Sequence, residues 1–164
     1  MSASLERIAY LGYATPPLAF ALALIFFSLQ TAPIIYQTIG LLIFAYAIHF
    51  LAEAIGPVRS ALYQAPPAIE EAARALGRTP LRAFFEGTFP LLRRGLMISM
   101  VFAFLSAMKE LPITFLLSPI GFRTLALSVW DYTNEAMFGA AAPYALAIVV
   151  FSAIIVGLLL MDRK

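Results

Sequence analysis

No charged side chain occurs between residues 8 and 52, a run of 45 residues. A helix crossing a hydrocarbon layer of about 30 Å uses about 20 apolar residues, so this run is too long for one crossing. Thr31-Ala32-Pro33 divides it into a first span over 16–30 and a second over 34–52, joined by a tight turn. A second uncharged run, 139–161, ends at Asp162-Arg163-Lys164. Between them lies a third apolar stretch, 95–117, interrupted by Lys109-Glu110-Leu111-Pro112. Hydrophobic residues make up 62% of the chain and charged residues 12%, against about 25% in soluble domains. With a mean hydropathy of +0.90, the pattern predicts an all-α, multi-pass transmembrane helical bundle of about four spans. Within lipid, helices satisfy their own backbone donors and acceptors. Residues 1–13, with Glu6 and Arg7, read as a short amphipathic lead and not as a signal peptide, because the apolar run that follows is long enough to remain in the membrane.

The same composition excludes several function classes. A formal charge of +2 is too small and dispersed for nucleic acid, and membrane topology explains the arginines better. Without cysteine there is no disulfide framework, thiolate metal site or thiol nucleophile. No Gly-x4-Gly-Lys-Ser/Thr occurs, so any ATP hydrolysis would belong to a separate subunit, and no His-Glu-x-x-His occurs. No carboxylate, histidine and serine converge at one depth, so no catalytic residue and no cofactor is assigned. His49 and Glu53 stand one turn apart on one helical face, but two ligands without a third do not make a metal site. A satisfied polar contact near the cytoplasmic end of the second span is the plainer reading.

The long polar island, 70–94, holds three of the nine acidic and five of the eleven basic residues. Its chemistry predicts two short helices meeting at a sharp corner. Pro67 suits a first helical position, and Glu70 and Glu71 follow in the first turn, where carboxylates favour the positive end of the helix dipole. Ile69, Ala72, Ala73 and Leu76 form a narrow apolar stripe at helical spacing, and Glu70 can pair with Arg74 on the other face. Gly77 suits a left-handed C-terminal cap, Thr79-Pro80 starts a second helix carrying Leu81, Phe84 and Phe85, and Pro90 closes the unit.

Glu71-Ala72-Ala73, three residues, Gly77, then Phe89-Pro90 at a distance resembles the EAA loop of the membrane subunits of ABC importers. That pattern is EAA, three residues, Gly, nine residues, Ile, one residue, Leu-Pro. Here Gly87 takes the Ile position and Phe89 the Leu position, while Pro90 keeps its place. The resemblance implies a permease whose loop 57–94 couples to ABC ATPase subunits through Glu71, Ala72, Ala73, Gly77 and Pro90. It further implies an external substrate-binding protein and additional transmembrane spans or a second permease half as partners, in a bacterial inner membrane.

Lys109 and Glu110 are the residues costliest to place at membrane depth. Lys109 follows Gly95 by about 14 positions, or ~21 Å of helix, which is beyond the midplane. Charged groups there face a bundle interior or a water-filled path, and Pro112 predicts a kink or broken helix beside them. Lys109, Glu110 and Pro112 are therefore candidate elements of a translocation path, the alternative being a buried structural pair. Lys-Glu-Leu-Pro, Gly121-Phe122, Thr124-Leu125-Ala126, Trp130 and the opening Gly12-Tyr13-Ala14 resemble the iron(III) branch of these permeases. That likeness places residues 1–164 as the C-terminal part of such a transmembrane domain. Permeases for thiamine, polyamine or sulfate are the alternative substrates. A secondary-transporter fragment and a membrane-embedded enzyme are the rivals from other classes.

With loop 57–94 in the cytoplasm, nine basic residues fall inside and Arg123 alone outside, Lys109 lying within a span. The asymmetry predicts both termini in the cytoplasm and segment 118–138 outside, as an interfacial helix with an aromatic belt. Docking of the binding protein is a second reading of that belt.

Overall fold

The computed structural model describes residues 10, 12–66 and 68–161. The lead around Glu6 and Arg7, Pro67 and the closing Asp162-Arg163-Lys164 lie outside the described residues. The described chain is helical, with no strand, and divides into two compact units: Met1–Ala52 with Phe104–Lys164, and Glu53–Ala103.

In the first unit, helix α1 spans Pro17–Thr31, opening on a proline whose missing N–H costs nothing at that position. Its hydroxyls bond back into their own helix, Ser28 to the Ile25 carbonyl at 2.9 Å and Thr31 to that of Phe27 at 2.7 Å. A 3₁₀ turn, Pro33–Ile35, precedes α2, Ile39–His49. The second helix thus starts five residues later than position 34, because Thr38 caps it: its hydroxyl accepts from the Leu41 N–H at 3.2 Å. After a break at Phe50, α3 runs Leu51–Gln64 through Gly56-Pro57, where a connector over 54–66 was expected.

Toward its other end the first unit holds α7, Pro112–Leu117, α8, Leu125–Asn134, and α9, Phe138–Met161. Its core joins Ala21 of α1 and Leu41, Leu42 and Ala45 of α2 to Ile113 and Leu117 of α7. Ala21 and Ala45 are fully buried, which fits helices brought close by small side chains. Thr124 caps α8, and α8 folds back on α9 after Ala136, at φ +60°, with Tyr132 stacked on Tyr144 at 5.6 Å between centroids.

The second unit contains α3 from Glu53 onward, α4, Ala68–Ala75, α5, Pro80–Ala83, a π-helical turn, Phe84–Thr88, and most of α6, Phe89–Lys109. Pro90 does not close this unit, contrary to the sequence reading; the helix passes through it as one rod, Pro80–Lys109. The wide turn explains why: the Phe89 N–H reaches back five residues to the Phe84 carbonyl, just before a residue that has no N–H to give and whose ring crowds the preceding turn. The extra residue also rephases the helix, so the buried positions run Ala83, Thr88, Leu92, Gly95 and Ser99, with a step of five across the π turn. Gly95 sits where α3 and α6 touch, and an added Cβ would stand 2.7 Å from the Ala61 Cβ and 2.8 Å from the Pro57 carbonyl oxygen. Ser99 donates to the Ala54 carbonyl at 2.6 Å in the turn preceding Pro57.

Among the described residues two helices are long and apolar enough to cross a membrane, Pro80–Lys109 and Phe138–Met161, and the bent pair Ile39–His49 with Leu51–Gln64 makes a third if it is one span. Helix α1 has 15 residues, about 22 Å, and is shorter than a typical crossing. Helix α9 is apolar all round and its most apolar window buries nothing within the chain, the pattern of a lipid-facing or partner-facing helix.

Candidate functional site: an exposed hairpin and a broken helix

The corner of the hairpin closes as a Schellman motif. The Gly77 N–H bonds to the Arg74 carbonyl at 3.0 Å and the Arg78 N–H to that of Ala73 at 3.1 Å, with Gly77 at φ +79°. Thr79 then takes extended backbone and Pro80 opens the next helix. The corner is braced outside by Glu86, which accepts from Arg82 Nε at 2.6 Å and lies 3.4 Å from Arg78 Nε. The Arg82 hydrogen bond, aided by the Arg78 charge, holds the Glu86 carboxyl below its ordinary pKa.

The predicted apolar stripe of α4 splits in two. Ile69 and Ala73 turn inward, and Ile69 fills the space at Gly87, where an added Cβ would stand 2.7 Å from its Cγ2. That contact accounts for glycine at a position where the loop pattern has isoleucine. Ala72 and Leu76 face outward, and Leu76 is 84% exposed and Leu81 70%. Glu71 is exposed beside them, with no hydrogen bond or ion pair among the described residues. Glu70 turns to the Thr88 hydroxyl at 2.5 Å and not to Arg74. Thr88 carried no signal in the sequence, since its partner is 18 positions away.

At the other locus the helix breaks where Pro112 predicted. Helix α6 ends at Lys109, and α7 restarts at Pro112. Glu110 is buried at 8% exposure, and its carboxylate caps α7, accepting from the Ile113 N–H at 3.0 Å and from the Thr114 N–H at 3.1 Å. The Thr114 hydroxyl meets the same carboxylate at 3.2 Å and also bonds to the Tyr46 hydroxyl of α2. A carboxylate at a helix N-terminus is well matched to the unpaired amides and dipole there. Thr114, four residues after Glu110, was discoverable from spacing; Tyr46, 68 positions from Thr114, was not.

Lys109 is exposed and lines a cleft of about 290 Å³ with Leu111, Val129, Trp130, Thr133 and Ile148. The neighbours therefore part company, the acid into the core and the base into the cleft. His49 is buried among the rings of Tyr13, Phe20 and Phe50, at centroid distances of 6.4, 5.6 and 5.2 Å, and its Nδ1 has no hydrogen-bond partner among the described residues. It packs as an aromatic ring, in place of the satisfied polar contact expected. No group of three or more His, Asp or Glu side chains able to hold a metal stands together among the described residues.

The profile of a family described as binding-protein-dependent transport system inner membrane component matches residues 2–162. The chain belongs to that family. It is also 39% identical, over 155 residues, to the Fe(3+)-transport system permease protein FbpB 2 of Haemophilus influenzae. The match takes in 94% of this chain and 31% of that relative, so the chain spans about a third of the relative's length. Helices of this apolarity suit a multi-pass inner-membrane transport component. The hairpin leaves Leu76 and Leu81 exposed, and the broken helix leaves the charged Lys109 beside a cleft.

Proposed function

We propose that this chain is part of the permease of an ATP-driven importer for iron(III), supplied by an external binding protein. The observation that carries the substrate is the 39% identity to an Fe(3+)-transport permease across 94% of the chain. The hairpin is the coupling surface: Ala72, Leu76 and Leu81 present small and apolar contacts to an ATPase, Glu71 and the arginines set orientation, and Gly77 holds the corner. The continuous rod Pro80–Lys109 carries rigid-body motion of the ATPase from this corner to the break at Glu110. Lys109 lines the translocation path, while Glu110 and Pro112 shape the break beside it. The hairpin faces the cytoplasm and segment 118–138 the outside, following the basic-residue asymmetry.

The test is reconstitution of the full importer, with its ATPase and binding protein, in proteoliposomes. ATP-dependent uptake of radiolabelled iron(III) is expected, with no uptake when the ATPase is omitted. Uptake driven by an ion gradient without ATP, or uptake of another substrate with iron excluded, would contradict the reading.

A further inference from the structure

Among the described residues the cleft beside the break is lined by one charged side chain, and it is a cation. Lys109 is exposed there and has no hydrogen bond or ion pair among the described residues. Its sequence neighbour is the obvious acid to neutralise it. Yet Glu110 has both carboxylate oxygens on the Ile113 and Thr114 amides, with a further bond from the Thr114 hydroxyl. Rotating Glu110 toward the cleft would leave two amides of a buried helix end unpaired, so the geometry keeps the carboxylate away from the ammonium. The other lining groups are the Thr133 hydroxyl, the Trp130 ring and aliphatic Leu111, Ala126, Val129 and Ile148. An ammonium and a hydroxyl on an apolar wall form a field of one sign that draws in an anion. The compact ammonium of lysine suits a phosphate or carboxylate as a point charge.

We infer that this cleft binds an oxyanion, a phosphate or carboxylate group, held by Lys109 and Thr133 against the Trp130 face. The inference rests on the reading of Lys109 as part of the path and names what passes it: iron(III) in company with an anionic ligand. A bare trivalent cation would meet a like charge at this point, whereas a complex carrying negative oxygens would be attracted. The same oxyanion chemistry is presented by a phospholipid head group, which is the second source.

Trp130 is the only tryptophan of the chain and stands in the cleft, so it reports occupancy. The assembled importer in detergent is titrated with inorganic phosphate and with citrate at constant ionic strength, and the fluorescence of a Trp130→Phe importer is subtracted. A saturable signal is expected with at least one of the two anions and none with chloride. Lys109→Gln should weaken it about tenfold or more, and Lys109→Arg should largely restore it. No saturable Trp130 signal, or one unmoved by Lys109→Gln, overturns the inference. In proteoliposomes, labelled phosphate or citrate should enter with iron in a fixed ratio, and Lys109→Glu should abolish entry of both. Iron uptake unchanged or raised by Lys109→Glu also overturns the inference. If co-purified anionic phospholipid is lost in Lys109→Gln and displaced by phosphate, the head group is the occupant: the oxyanion site stands, and the passage of iron(III) with an anionic ligand is overturned. Should the wild type show no ATP-driven iron uptake, the iron reading fails, and the fluorescence titration still decides the site.

Discussion

The hairpin and the broken helix solve opposite problems. At the hairpin apolar groups stand in the open, with Leu76 and Leu81 more than two-thirds exposed, while the polar Thr88 is buried against Glu70. At the break a carboxylate is buried at 8% exposure and a threonine at 0%, both hydrogen-bonded, while a lysine is left exposed. An exposed apolar face gains nothing for the isolated chain and is maintained by what it will touch. A buried carboxylate is tolerated because the helix end it caps would otherwise be unpaired. The hairpin should therefore fail in association when mutated, and the break should fail in stability.

The largest effect sharpens the first half of that contrast. Ala72→Glu places an unpaired charge on the face proposed to dock the ATPase, and a loss of about 2–5 kcal/mol in ATPase association is expected if that face is desolvated in the complex. Gly77→Val forces a β-branched residue into φ +79° and should distort the corner with a similar functional result. Both variants should insert in the membrane. Co-purification of the ATPase and substrate-stimulated ATP hydrolysis are the readouts.

Next comes the break. Glu110→Ala leaves the Ile113 and Thr114 amides without their acceptor, at about 1–3 kcal/mol for each group left buried and unpaired. Lys109→Gln, at an exposed position, should stay within about 0.5 kcal/mol. Thermal unfolding of the assembled importer separates them; equal destabilisation by both would break the contrast between capping acid and cleft-facing base.

A comparable or smaller cost is expected at the contact of α3 with α6. Gly95→Leu would drive a side chain into Ala61 and the Pro57 carbonyl, and overpacking of this kind costs about 1–3 kcal/mol. The readout is again thermal unfolding, and unchanged stability would mean that the two helices are not in contact there.

How much of this was legible in the sequence follows the range of the interactions. The corner was, because Gly77, Thr79 and Pro80 act through their own backbone within a few residues. The break at Pro112 was legible for the same reason. The course of the helix through Pro90 was not, since the π turn depends on how Phe84–Thr88 packs, and the buried register of five shows only in the folded rod. The start of α2 was misplaced because Pro33 opens a 3₁₀ turn and the true cap, Thr38, lies five residues on. At the site, the separate fates of Lys109 and Glu110 were not legible, because Glu110 leaves the helix that ends at Lys109 and turns its carboxylate onto the Ile113 and Thr114 amides. The partners Tyr46 and Thr88 are set by tertiary contacts that leave no local pattern.

The smallest effect is at the exposed brace of the corner. Glu86 has a lowered pKa in the folded chain, so its contribution is present above the ordinary carboxylate pKa and fades as pH falls through the lowered value. Glu86→Gln should therefore change the stability of the unit only slightly at neutral pH and not at all once the wild-type group is protonated. Unfolding midpoints followed from neutral to acid pH check this, and a difference that grows on acidification would contradict the sign.

The central claim is that the outward face of the hairpin touches the ATPase, and Leu76, at 84% exposure, is the residue on which to test it. A single cysteine at Leu76 in the assembled importer, paired with cysteines scanned across the ATPase surface, should yield a disulfide-linked permease–ATPase species whose amount changes when ATP is added. If no pairing links the two subunits while an impermeant reagent labels the same cysteine from the external side, the hairpin is not the coupling surface.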